Sequence, residues 1–362
     1  MTGYVIVLAL AALLSFVLAM AHYVFWTRRF AIAMDYAEHH RIETPDGSAI
    51  ELYRLPPLGI DITTHRHATP VLCVHGIGID HRNNDMIPQV SLARHLREAG
   101  HDVWLLRLRS GGTSRRFGHG RKVRFRTMAA HDVPLGIAGV LERTGAPQLD
   151  YVGFSMGGML LYAGLATRAI DPALLRKVVI LGSPARVGQH VPFKGLLTRI
   201  PAPLVPPLPL RLGSRMAAFA AEWFGTPIHD LVYNAGNVDR GIAGRAMMTI
   251  EDIPGPLNVD FLSFIRRGIV HIDGKDVAEG LRDVRVPVLF FAGARDRLAP
   301  PESVRIAFDN WGALYEGEAI DKTFVLLAKD AGSADDYGHG DLAIGRSAKK
   351  DIFEPVERFL AR

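Results

Sequence analysis

From Gly3 to Trp26 the chain runs for 24 residues without an Asp, Glu, Lys or Arg. As a helix rising ~1.5 Å per residue this stretch is ~36 Å long, enough to cross a ~30 Å hydrocarbon core with some tilt. Tyr4 near one end and Tyr23 with Trp26 near the other stand where amphipathic rings favour the membrane interface, and Arg28-Arg29 follow at once. With no basic residue upstream, those arginines predict a cytoplasmic C-terminal side. A cleaved signal peptide is the alternative, since Ala19-Met20-Ala21 is a small-x-small site. Against it, the stretch has no positive n-region and stays apolar beyond that site. A buried core helix fits this length poorly. Residues 3–26 are therefore expected to form a single transmembrane anchor.

The rest of the chain must build its own core. Across 362 residues, 48% are apolar and 22% charged, with 36 Gly and 22 Pro, which excludes intrinsic disorder, collagen and a coiled coil. Cys73 is the single cysteine, so neither an intramolecular disulfide nor a cysteine zinc site is available. After a polar connector from Asp35 to Arg41, apolar runs alternate with amphipathic stretches. Ala49 to Leu55, Pro70 to Val74, Asp102 to Leu106, Leu149 to Phe154 and Lys177 to Leu181 read as strands. Gln89 to Glu98, Met128 to Arg143 and Met156 to Arg168 read as helices between them. That alternation predicts an α/β fold, a mostly parallel sheet with helices on both faces.

From about Pro184 to Gly280 the strand signal fades. The run Pro192 to Leu212 carries six prolines among leucines, isoleucine and valine, ahead of two predicted helices around Met216 to Phe224 and Val259 to Arg267. Strands return at Val286 to Phe291 and Thr323 to Leu327, and Asp351 to Leu360 reads as a closing amphipathic helix. Residues 184–280 are thus expected to be a cap inserted into one domain spanning 43–362.

The chemistry centres on Gly153-Phe154-Ser155-Met156-Gly157-Gly158, a G-x-S-x-G arrangement between a predicted strand and a predicted helix. The small glycines permit the sharp turn that presents a serine hydroxyl above a sheet. A serine needs a base to take its proton and a third group to orient that base. Asp296 follows the strand at Val286 to Phe291, and His339 follows the strand at Thr323 to Leu327, so the order is Ser, Asp, His. Asp335, Asp336 and Asp341 crowd His339 in sequence; Asp296 could instead cap the turn before Pro300-Pro301 or pair with Arg295 or Arg297. For the oxyanion of a tetrahedral intermediate, His75-Gly76-Ile77-Gly78 after the strand at Pro70 to Val74 offers the Ile77 N–H, and Met156, next after the nucleophile, offers another. A dinucleotide loop is excluded because no third glycine stands three residues after Gly78.

These residues resemble the α/β-hydrolase superfamily from about Glu43 to Arg362. Val71 to Gly78, Ser91-Leu92-Ala93, Ala99 to Trp104 and Arg109 to Arg115 are similar to the acid lipase group. That resemblance implies hydrolysis of lipid esters under a mobile cap by Ser155, Asp296 and His339. The part from Ser155 onward is also similar to polyhydroxyalkanoate synthases, which carry a Cys nucleophile where this chain has Ser155; the departure favours hydrolysis over polymerisation. The acid lipases are secretory and cysteine-containing, and with one cysteine here their location is not carried over.

Between Val103 and His131 stand eight Arg or Lys residues and no acid: Arg107, Arg109, Arg115, Arg116, Arg121, Lys122, Arg124 and Arg126, with Phe117 and Phe125. Such a run suits anionic lipid head groups or phosphates. Beside a spanning helix, and without any nucleic-acid module, the membrane is the expected partner and nucleic acid is not. His65-Arg66-His67 with Asp61, and His39-His40 with Glu38, lack a recognisable ligand spacing, so no metal or cofactor is expected. The expected activity is cleavage of a lipophilic carboxylic ester through an acyl-enzyme at Ser155. Acyl transfer by the same groups, or a silent lipid- or protein-binding membrane scaffold, are the alternatives.

Overall fold

The computed structural model describes residues 2–58, 67–111, 123–188, 195, 199–223, 232–317 and 319–362. Its strands are β1 (Glu38–Glu43), β2 (Ala49–Leu55), β3 (Val71–Val74), β4 (Val103–Arg107), β5 (Leu149–Phe154), β6 (Leu175–Leu181), β7 (His271–Ile272), β8 (Lys275–Asp276), β9 (Val288–Gly293) and β10 (Lys322–Leu327). Eight form one sheet in the order β1-β2-β4-β3-β5-β6-β9-β10, while β7 and β8 make a small separate hairpin. The first two pairings in that order are antiparallel and the others parallel.

Successive side chains of a strand point to opposite faces, so a central strand needs apolar residues at every position. Tyr151, Val178 and Phe290 face one core layer with α3 (Val133–Thr144) and α4 (Met156–Ala166), whereas Val152, Val179 and Phe291 face the other with α2 (Leu92–Glu98). The predicted sheet, with helices on both faces, is what the chain forms.

Between β6 and β9 the described residues hold α5 (Leu210–Trp223), α6 (Arg240–Thr249) and α7 (Gly255–Arg267); α8 (Pro301–Asn310) and α9 (Glu354–Ala361) complete the sheet's cover. The sequence expectation of two helices in the first of these regions misses α6, whose Gly241 and Gly244 weaken the helical signal. Gly244 is there for packing: a Cβ would lie 2.4 Å from the ring of the buried Phe30. The connector expected from Asp35 to Arg41 is corrected as well, because β1 begins at Glu38. As the sheet edge it pairs on one side only and alternates half-buried with exposed residues, so its polar composition hid it.

Ahead of the sheet runs α1 (Thr2–Arg29), whose Gly3–Arg29 stretch is long and apolar enough to cross a membrane, with none of its most apolar window buried against the protein. Among the described residues, its last turns touch the fold. His22 Nε2 lies 2.9 Å from Met216 O on α5, and Trp26 stacks on Phe30 with centroids 5.5 Å apart.

Candidate active site

The turn from β5 to α4 is forced by close packing. A Cβ on Gly157 would meet Val74 O at 2.3 Å, one on Gly158 would meet Ser183 Oγ at 2.2 Å, and one on Gly153 would meet Gly158 N and Cα at 2.7 Å. Only hydrogens fit at these three positions, so helix and strand approach closely enough to bend the chain at Ser155. That residue takes φ 52° and ψ −120°, a conformation that costs a non-glycine residue ~1–3 kcal/mol. The bend lifts its hydroxyl off the end of the parallel strands.

His339 Nε2 stands 2.9 Å from Ser155 Oγ, and His339 Nδ1 stands 2.7 Å from Asp296 Oδ2. All three side chains are buried. The other carboxylate oxygen, Oδ1, accepts the N–H groups of Leu298 at 2.9 Å and Ala299 at 2.7 Å. Asp296 therefore caps the turn before α8 with Oδ1 and faces the imidazole with Oδ2. Arg295 does not compete for it, reaching Asn234 Oδ1 instead. The acids crowding His339 in sequence are occupied elsewhere: Asp335 pairs with Lys329, Asp336 accepts the Lys329 N–H, and Asp341 accepts from Asn237 and Asn234. Burial pushes the Asp341 carboxyl up.

His75-Gly76-Ile77-Gly78 lies directly over Ser155, for a Cβ on Gly76 would be 2.9 Å from Ser155 Cβ. Leu108 N–H donates to His75 Nε2 at 3.1 Å, so the imidazole proton sits on Nδ1 and is donated to Gly76 O at 2.8 Å. Burial holds the His75 pKa down at about 4, which keeps the ring neutral. In a trans peptide the C=O and N–H point in opposite directions. Holding Gly76 O toward His75 thus turns the Ile77 N–H the other way. Met156 opens α4, where a backbone N–H has no carbonyl within its own helix to bond.

Sequence reading missed three supports of this site. Phe154 places its ring 5.1 Å from that of His339. Gly182, at φ +55°, lets the chain pass where a Cβ would be 3.4 Å from His339 Nδ1 and 3.3 Å from Asp296 Oδ2. Asn234 and Asn237, from the region between β6 and β9, brace the His339 loop through Asp341. Gly182 directly after a strand was the one visible signal; the asparagines gave none.

Of the eight basic residues between Val103 and His131, four are described, and each of the four pairs with an acid. Arg107 pairs with Glu51 at 3.0 Å, Arg109 with Asp132 at 2.7 Å, Arg124 with Asp260 at 3.0 Å and Arg126 with Asp273 at 2.9 Å. All four acids are distant in sequence; the Arg107 and Arg109 pairs are largely buried, whereas Arg124 and Arg126 reach the surface. Arg115, Arg116, Phe117, Arg121 and Lys122 lie outside the described residues, as do Asp61, His65 and Arg66. His67 comes within ligand range of His101 and Glu357. The two imidazoles stack nearly parallel, 8° apart with centroids at 4.0 Å, so their in-plane lone pairs do not converge on one ion. His40 bonds Glu38 and His39 stacks on Tyr53.

Residues 69–332 match the model of the alpha/beta hydrolase fold family, well over half of the chain, and the protein belongs to that family. Gastric triacylglycerol lipase of Bos taurus is 29% identical over 173 residues, 45% of this chain and 43% of that protein. The chain spans less than half the length of the curated relatives it matches. Among solved structures, an esterase from Exiguobacterium antarcticum superposes with a TM-score of 0.57 at 14% identity, covering 89% of this chain and 99% of that one. A membrane phospholipase A described as a bacterial virulence factor superposes at 0.52 and 18% identity, over 98% of this chain and 97% of its own. At these identities the superpositions speak for the fold.

Proposed function

We propose that the protein is a membrane-anchored serine hydrolase that cleaves lipophilic carboxylic esters. The observation that carries this reading is His339 bridging Ser155 Oγ and Asp296 through its two ring nitrogens. In the first half-reaction Ser155 Oγ attacks the ester carbonyl carbon while its proton passes to His339 Nε2. Asp296 accepts the Nδ1–H and stabilises the imidazolium, and the N–H groups of Ile77 and Met156 receive the oxyanion. Collapse of the intermediate expels the alcohol, which takes the proton from Nε2 and leaves an acyl-serine. A water deprotonated by His339 then releases the acid.

Support for a lipophilic substrate comes from the region between β6 and β9, read as the cap over 184–280. Leu204, Leu208, Leu210, Leu212 and Trp223 are exposed there, on the unit to which the last turns of α1 are fastened. On a series of 4-nitrophenyl esters, turnover is expected to rise from acetyl to medium and long acyl chains and to gain further from micelles. A preference for acetyl with no micellar gain overturns the lipophilic assignment.

The anchor supports the same reading. Leaving its Leu, Ile and Phe side chains in water forgoes ~1.5–3 kcal/mol each. The protein is expected to stay in the membrane pellet through an alkaline carbonate wash. Leu10→Asp with Leu14→Asp, at ~2.5–3.5 kcal/mol of insertion cost per acid, moves it to the supernatant. Release of the unmodified protein by carbonate overturns the span.

A further inference from the structure

The loop that carries Ile77 does not stand on the sheet alone; it is bonded to the segment that follows α6. Residues 249–251 run antiparallel to 78–80: Glu251 N–H donates to Gly78 O at 2.8 Å, Asp80 N–H donates to Thr249 O at 3.0 Å, and Ile79 lies opposite Ile250. Gly78 has φ +67°, and a Cβ on it would lie 3.2 Å from two carbons of Ile253. A left-handed glycine pressed on one side and bonded on the other has little freedom, so residues 249–253 set where the loop sits. Ile253 is held by Leu208 through a backbone bond in each direction, and the stretch just before it is held by a buried cation.

Arg215, on α5, is 4% exposed. Its guanidinium donates to Met248 O at 3.1 Å, Ile250 O at 3.1 Å and Arg211 O at 3.0 Å. It lies 3.9 Å from Glu251, itself 2% exposed, and Arg211 approaches the same carboxylate at 3.7 Å. Arg82 adds a bond to Met248 O at 2.6 Å while bound to Asp80. Burying an arginine is costly unless its donors are satisfied, and here its acceptors include Ile250 O, in the segment paired with the loop, and Met248 O at the end of α6 just before it. A planar fork can hold two carbonyls at a set spacing, which a lysine ammonium cannot reproduce. Arg215 precedes Met216, where His22 of α1 is fastened.

We propose that Arg215 is a positioning residue for the oxyanion loop: from α5, the helix on which α1 is seated, it holds residues 248–251, which hold Gly78 and so the direction of the Ile77 N–H. The proposal rests on the hydrolase reading above and names a residue that touches neither substrate nor triad.

The test is Arg215→Lys in the full chain, solubilised in detergent, with a water-soluble ester and two inhibitors. A trifluoromethyl ketone is attacked by Ser155 Oγ: the C–O bond forms, the carbonyl opens to an alkoxide in the oxyanion hole, and the serine proton moves to His339. The matching methyl ketone binds without that step. The expected result is a fall in kcat of ~10–100-fold, part of what complete loss of one oxyanion donor costs, with KM within about twofold. The Ki of the trifluoromethyl ketone rises by a similar factor, the Ki of the methyl ketone does not, and the pH profile keeps its midpoint because His339 and Asp296 are untouched. Ile253→Ala, which removes the wall behind Gly78, gives a smaller shift of the same pattern and serves if Arg215→Lys does not fold. Unchanged kcat and trifluoromethyl ketone inhibition, or KM and both inhibitors shifting together, overturn the role of Arg215. Either result counts against Arg215 alone when the unmodified protein turns over ester and takes a fluorophosphonate on Ser155; an unmodified protein inert to both overturns the hydrolase reading and this inference with it.

Discussion

Ser155→Ala is expected to lower kcat for ester hydrolysis by ~10⁴-fold or more and to abolish covalent labelling by a fluorophosphonate, read as peptide mass at Ser155. The size follows from the arrangement. Ser155 Oγ is the oxygen bonded to His339 Nε2, and its removal leaves the imidazole with no proton to take. What remains is the binding and oxyanion contribution, which falls far short of nucleophilic attack. The variant should fold, because alanine occupies the same volume less one oxygen. It keeps the φ of 52°, so the strain of the turn is neither relieved nor increased. Labelling of the wild-type protein at another serine, or turnover that survives the substitution, overturns the mechanism.

Asp296→Asn is expected to cost ~10⁴-fold in kcat with little change in KM, and for a different reason. Asp296 Oδ1 receives two backbone N–H groups. An asparagine therefore places its carbonyl oxygen there and turns its NH₂ toward His339 Nδ1. A donor facing Nδ1 forces the imidazole proton onto Nε2, the nitrogen that must accept from Ser155. The histidine is then held in the wrong tautomer, without a charge to stabilise the imidazolium. The turn before α8 stays capped, so thermal stability should change little. The check is steady-state kinetics beside a melting curve; a loss of stability matching the loss of rate makes the residue a cap alone. Asp341→Asn is the contrast, since Asp341 faces Asn237 and Asn234 rather than the imidazole.

Much of this was legible in sequence because the forces concerned are local or periodic. Strands buried on both faces must be apolar at every position, and β5 was placed to the residue. A glycine needed for close approach cannot be replaced quietly, so Gly153, Gly157 and Gly158 announced the turn at Ser155. Asp296 and His339 were visible because each follows a strand at the same end of the sheet. What stayed hidden has no local signature. β1 is an edge strand and may be as polar as the solvent beside it requires, and α6 gives up helical propensity at Gly244 to admit the ring of Phe30. The partners of the basic run were hidden for a related reason: charge in sequence is counted along the chain, whereas Arg107, Arg109, Arg124 and Arg126 each pair with an acid brought from elsewhere.

By itself the sequence determined the apolar length of α1 and the sheet's central strands, and it singled out Ser155, Asp296 and His339, in that order, as candidates. Each depends on residue type within a short window, where hydrophobic period, glycine sterics and helix length act directly. Only the tertiary structure decided that Asp296, and not its three acidic rivals near His339, faces the imidazole. It alone decided that Arg215, sixty positions from Ser155, bonds the segment that pairs with Gly78 to Asp80. Hydrogen bonds and ion pairs between distant segments depend on distance in space, which the order of residues does not record until the core has packed.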